Sequence, residues 1–280
     1  MLGKTYKDYA GESIATNTTF RHGLREQESV FYKMEYQPNS CPNAVVCGNG
    51  RTREKFFKML ELVDAAGGYL RKNKPEIYAC NAAYTEATKP HNIIIGNPVM
   101  ADEFYKTSPN YPNAVYLPWA QWVKYKDSTP TPRLIPNHYT GGSTGKSALY
   151  LAAWHGHTTI YMLGFDLQPE EGRNNNIYAG KHPLYSSIDA HVSDAVWIAD
   201  RLQVIRAYPD VKFVRIVPTV WDDDEKKSIV INFNCPDEWA DCDNFRQLDV
   251  ETFKQEIDFG PVKDHTRKQL QYRSAGPRVS

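Results

Sequence analysis

From residue 43 onward, short apolar runs alternate with segments whose apolar residues recur every three or four positions. The short runs predict buried strands at 44–47, 76–80, 92–95, 114–117, 159–163 and 212–217. The longer-period segments predict helices at 52–66, 99–106, 120–124, 144–154 and 189–207. Strands that alternate with helices predict an α/β fold, a mostly parallel sheet with helices on both faces. Two stretches interrupt the alternation. Residues 126–142 hold three prolines and a Gly-Gly pair, and residues 168–187 hold three consecutive asparagines. Connections of that length in a compact domain are commonly lids or binding loops.

The pattern stops at both ends. Residues 1–42 are polar and keep no period, so they read as an arm with at most a short helix near 24–34. Beyond Pro218 the alternation ceases, and residues 221–280 offer one strand near 228–233 before a charged tail expected to extend away from the core. The organisation expected is therefore an arm at 1–42, a Rossmann-like domain at 43–220 and a C-terminal extension at 221–280. Arms too poor in apolar residues to form a core are candidates for contacts with neighbouring chains, in an oligomer or a larger particle.

Composition narrows the classes. Lys and Arg number 33, as do Asp and Glu, so the net charge is +0 and no whole-molecule field attracts nucleic acid or an anionic membrane. There is no apolar run of membrane-span length and no hydrophobic signal segment at the start, which leads to the expectation of a chain that stays in the cytoplasm where it is made. The five cysteines lack C-x-x-C spacing, which argues against a disulfide scaffold or a structural zinc site.

Candidate chemistry gathers at the strand ends, where ligands of open parallel sheets bind. The first strand runs into Gly48-Asn49-Gly50, the second into Asn81, the third into Asn97-Pro98 and the fifth into Gly164-Phe165-Asp166. Neutral amides there suit a base, ribose or phosphate rather than a metal ion. The helix that starts at Ser143-Thr144-Gly145 adds backbone N–H groups and the positive end of a dipole for an anion. Gly145-Lys146-Ser147 has the tail of a P-loop, in which Lys146 and Asp166 would serve nucleotide and magnesium. The first glycine of that motif is replaced by Thr140, and two prolines, Pro132 and Pro136, interrupt the preceding segment. Asp222-Asp223-Asp224 contains a D-x-D but lies in a mixed charge run, and His155-Gly156-His157 stands where a helix should end.

These motifs resemble those of the bacterial Rossmann-like sialyltransferases that use CMP-sialic acid, and more loosely pterin-pyrophosphokinase-like and motility-associated families. The resemblance runs from about residue 44 to 202 and rests on Gly48-Asn49-Gly50, Cys80-Asn81, Asn97-Pro98, Ser143-Thr144-Gly145 and Gly164-Phe165-Asp166. It implies a metal-independent glycosyltransferase with a nucleotide-sugar donor as substrate, a hydroxyl acceptor and no resident cofactor. It places Asn49, Gly50, Asn81, Asn97, Ser143, Thr144 and Gly145 on the donor. In Tyr178-Ala179-Gly180-Lys181-His182 it implies His182 as general base, with Tyr178, and Tyr185 beyond it, to stand in beside the leaving phosphate and His191 a competing base. The stretch before His182 is shorter than the family's and lacks its tyrosine pair. A non-catalytic assembly protein on the same fold and a P-loop phosphotransferase are the alternatives.

Overall fold

The computed structural model describes residues 13–21, 24–31, 41–54, 56, 75–136, 142–167, 176–185, 194–217, 219–222, 227–230 and 235–257. Strands β1 (Ser13–Arg21) and β2 (Leu24–Phe31) pair antiparallel. Then come β3 (Asn43–Cys47), β4 (Glu76–Cys80), β5 (Asn92–Ile94), β6 (Ala114–Leu117), β7 (Arg133–Leu134), β8 (Thr159–Leu163) and β9 (Lys212–Val217). A second antiparallel pair, β10 (Thr219–Asp222) and β11 (Lys227–Val230), precedes β12 (Phe245–Asp249). The helices are α1 (Pro98–Thr107), α2 (Trp119–Tyr125), α3 (Thr144–Trp154), α4 (Asp194–Ala207), α5 (Asp237–Ala240) and α6 (Val250–Glu256).

Eight strands form one all-parallel sheet in the order β12-β9-β8-β3-β4-β5-β6-β7. The chain steps outward from β3 to β7, then returns to lay β8 on the other side of β3. The connections thus diverge between β3 and β8, where such sheets open a crevice. Alternate side chains enter two cores. Val45, Cys47, Ile77, Ala79 and Ile93 meet α1 through Met100 and Phe104, and α6 through Phe253. Ala44, Val46, Tyr78, Ile94 and Met162 meet α3 through Leu149 and Ala152, and α4 through Val204 and Ile205. Burial on both faces is why these strands read as unbroken apolar runs.

At the amino ends of β4 and β5 the core encloses a polar network. Glu76 accepts from Asn92 Nδ2 at 2.6 Å and lies 3.3 Å from His157 Nε2. The Tyr78 hydroxyl lies 2.6 Å from His155 Nδ1 and 2.9 Å from His157 Nε2. Burial, with His157 and Arg133 adding to it, holds His155 well below the ordinary imidazole value and so neutral. The His-Gly-His motif is therefore a buried tie at the end of the sheet away from the crevice. Among the described residues, no three His, Cys, Asp or Glu side chains gather to hold a metal ion.

Two expectations change. The segment near 24–34 is strand β2, not a helix: β1 beside it is rich in Thr and carries Ile14, and β-branched side chains favour extended backbone. The stretch beyond 221 does not all leave the core. β12 pairs with β9, and Trp239 and Phe253 are fully buried. Their wide spacing hid them from a period search. Of the helix expected at 52–66, the described part is a 3-10 turn at Arg51–Arg53 and the buried Phe56, the rest lying outside the described residues.

Candidate functional site

A cavity of about 420 Å³ opens at the carboxyl ends of β3, β4, β5 and β8. Seven of the residues singled out in the sequence line it: Asn49, Gly50, Asn81, Asn97, Ser143, Thr144 and Gly145. Register brings them together, since Cys47 lies opposite both Ala79 of β4 and Leu163 of β8. Backbone pairing continues past the strands, with Gly48 N–H donating to the Leu163 carbonyl at 2.8 Å and Gly50 N–H to the Gly164 carbonyl at 2.9 Å. A Cβ on Gly48 would stand 2.4 Å from the Gly164 carbonyl oxygen, and one on Gly50 would stand 2.4 Å from Asp166 Oδ2. Only glycine allows this close approach.

The asparagines build the cavity as well as line it. Asn81 adopts φ 49°, a left-handed conformation that Asn tolerates. Its Oδ1 accepts from Gly96 N–H at 3.2 Å and its Nδ2 donates to Thr144 Oγ1 at 3.3 Å, which ties β4 to the β5 exit and to α3. Asn97 caps α1, its Oδ1 accepting from the N–H groups of Val99 at 2.9 Å and Met100 at 3.3 Å. Asn49 donates to the Tyr185 hydroxyl at 3.4 Å and accepts from Arg53 Nη2 at 3.3 Å. Each amide has two donor hydrogens and two lone pairs, so capacity remains for a ligand.

Ser143 caps α3, its Oγ accepting from Lys146 N–H at 3.3 Å while its carbonyl accepts from Ser147 N–H at 3.2 Å. Its own N–H donates to Asp200 Oδ2 at 2.8 Å. The amides of Thr144 and Gly145 remain at the positive end of the helix, facing the cavity they line.

Asp166, at the exit of β8, closes the floor. Its carboxylate accepts from Thr52 N–H at 2.8 Å and from the Thr52 hydroxyl. Burial raises its pKa against the lowering effect of those bonds. The sequence reading did not single out Arg201 or Trp197 for the cavity wall, yet both are there, beside Tyr185 and Phe165. Burial pushes the Tyr185 hydroxyl up to about 12, so it stays protonated and can donate.

Three expected participants sit elsewhere. Tyr178 lies behind the wall, its hydroxyl 2.6 Å from both Arg53 Nη2 and Glu86 Oε1. Tyr185 is the tyrosine of this segment that meets the cavity. His182 is buried behind Leu184 and Tyr185; its Nε2 lies 3.2 Å from Glu103 Oε1, and its Nδ1 accepts from Leu184 N–H at 3.3 Å. Lys146 turns to α4, donating to Gln203 at 2.8 Å, and it is not part of the cavity wall. His191, Asp223 and Asp224 lie outside the described residues.

No protein-family model matches the chain, and no curated protein sequence matches it. Among solved structures it is similar to the monofunctional alpha-2,3-sialyltransferase Cst-I from Campylobacter jejuni, with 14% identity and a TM-score of 0.42 over 81% of this chain and 97% of that one. It is also similar to the sialyltransferase CstII from Campylobacter jejuni in complex with the substrate analogue CMP-3FNeuAc. There the identity is 14% and the TM-score 0.39, over 62% of this chain and 79% of the other.

Proposed function

We propose that the cavity holds the nucleotide of a CMP-sugar-type donor and that the chain is a metal-independent, inverting glycosyltransferase. The observation that carries this reading is the convergence of Asn49, Asn81, Asn97 and the α3 N-terminus on one cavity at the sheet's reversal point. Those residues belong to the motifs that resemble the CMP-sialic acid sialyltransferases. In this reading the amides recognise base and ribose, Asp166 accepts a hydroxyl, and the α3 N-terminus and the Tyr185 hydroxyl stabilise the leaving phosphate. The acceptor hydroxyl attacks the anomeric carbon, the bond from that carbon to the phosphate oxygen breaks, CMP leaves, and the acceptor's proton passes to His182.

Glu103 beside Nε2 would orient the imidazole and stabilise its charged form, as a carboxylate does for a general base. His182 reaches the acceptor if the 182–185 turn shifts and Nδ1 gives up the Leu184 N–H. The experiment is transfer or donor hydrolysis with CMP-sialic acid, comparing wild type with His182→Ala. The rate should fall by about two to four orders of magnitude while CMP affinity changes little. An unchanged rate removes His182 from the mechanism. A second reading, a nucleotide-binding assembly protein without turnover, is favoured by the burial of His182 away from the cavity wall; it would prevail if the wild type turned over no member of a broad donor panel. Nothing in the placement of Lys146 supports a P-loop.

A further inference from the structure

Arg201 of α4 is 7% exposed, yet it forms part of the cavity wall. Its guanidinium lies 5.5 Å from the centres of both the Phe165 and Trp197 rings. Among the described residues its hydrogen bonding is limited to Nη1, which donates to the Trp197 carbonyl at 2.8 Å, while the buried Nε has no partner. Asp200, the adjacent carboxylate, accepts from Ser143 N–H and lies 3.9 Å from Lys146 Nζ, so it serves the start of α3. Nη2 lies 3.5 Å from where a Cβ of Gly145 would stand, beside the first amides of α3. Burial draws this arginine down to about 10, still cationic at neutral pH. Asp200 offsets part of the cost of burying this cation through its charge, without a hydrogen bond to it, and an arriving anion that bonds the guanidinium offsets more.

We propose that Arg201, together with the Thr144 and Gly145 amides, forms the receptor for one oxyanion of the ligand, a phosphate or a carboxylate. Two independent features point to the same spot: a helix end with open N–H groups, and a guanidinium with an unused N–H held against aromatic rings. Nη2, beside the first amides of α3, can donate a charge-assisted hydrogen bond to an oxygen of such a group. The inference rests on the donor-site reading above for the identity of the ligand, but not for the charge of the spot. It makes Arg201 a residue that selects charged over neutral ligands.

The test is calorimetric titration of wild type, Arg201→Gln and Arg201→Lys with CMP, cytidine, free N-acetylneuraminate and inorganic phosphate. Wild type should prefer CMP over cytidine by about 10- to 100-fold, the range for a charge-assisted contact. Arg201→Gln should collapse that preference to about threefold or less while cytidine affinity holds, and Arg201→Lys should keep part of it. If Gln disturbs folding, Gly145→Ala reads the same ratio, because its methyl would intrude between the guanidinium and the amides. An unchanged CMP preference with lost N-acetylneuraminate binding assigns the receptor to a carboxylate and supports the proposal. Phosphate binding that depends on Arg201, in a protein that binds neither CMP nor cytidine, overturns the donor reading but keeps the receptor. CMP binding with every ratio unmoved by Arg201→Gln and Gly145→Ala overturns the receptor alone. Binding of no probe by wild type overturns both.

Discussion

Replacing Asp166 with Ala removes the acceptor of two bonds from Thr52, one to its N–H at 2.8 Å and one to its hydroxyl. These bonds fasten the turn after β3 to the exit of β8, the junction at which the cavity opens. Each hydrogen bond to a charged group contributes about 1.5–3 kcal/mol, and the cost of burying the carboxylate subtracts from their sum, leaving a net loss of about 2–3 kcal/mol. Asp166→Asn keeps an acceptor for the N–H and a donor for the hydroxyl oxygen, so it should cost less than about 1 kcal/mol. Wild type and Asp166→Asn also differ in pH response, because only the carboxyl titrates. Burial raises the folded-state pKa of Asp166 above the ordinary 3.8, so between that value and the raised one the folded protein binds more protons than the unfolded chain. The stabilisation from this group is therefore full below the ordinary value and is lost as pH rises through the raised one. Urea unfolding of wild type, Asp166→Ala and Asp166→Asn from about pH 3 to 7 measures both effects. Wild type should lose ground to Asp166→Asn as pH climbs. Equal stability of the Ala and Asn variants, or a difference between wild type and Asn that is flat or grows in wild type's favour with pH, refutes the reasoning.

Other consequences can be checked with similar means. Tyr78→Phe removes the hydroxyl shared by His155 and His157 and should destabilise the fold by about 2–3 kcal/mol in urea, whereas Tyr105→Phe, which loses one bond to the Pro130 carbonyl, should cost less than about 1.5 kcal/mol. Burial pushes the Cys47 and Cys80 thiols up to about 12, so a thiol reagent at pH 8 should spare both in the native protein and label the half-buried Cys235 and Cys242 first; fast native labelling of either strand cysteine contradicts their placement. Lys146→Ala should leave CMP affinity within about twofold, since its ammonium serves Gln203 and Asp200; loss of binding on titration would restore a P-loop role.

The sheet was legible where both faces of a strand are covered. The runs at 76–80, 114–117, 159–163 and 212–217 coincide with β4, β6, β8 and β9, because unbroken apolar residues bounded by Gly, Asn or Pro leave few other structures. The cavity wall was legible for a topological reason: in a parallel sheet all carboxyl ends lie on one side, so residues just after each strand meet. Arg201 was not, because a lone arginine in a helical segment ordinarily reads as solvated, and no pattern tells which side of α4 faces the crevice. Tyr178 and Tyr185 could not be told apart, since the hydroxyl of Tyr178 is claimed by Arg53 and Glu86 from distant segments. β12 escaped notice because three aromatics, Trp239, Phe245 and Phe253, anchor a stretch whose remaining positions are mostly polar.

The central claim, that the β3/β8 crevice is a nucleotide site of the CMP type, is tested most directly by calorimetric titration of the wild-type chain with CMP, CDP, ATP and GTP, in chelator and again in magnesium. The expected result is saturable 1:1 binding of CMP that is strongest among the four in chelator, is unaffected by magnesium and is weakened at least about tenfold by Asn49→Ala. Silence toward CMP in both buffers, or binding of ATP or GTP that appears only with magnesium, contradicts it.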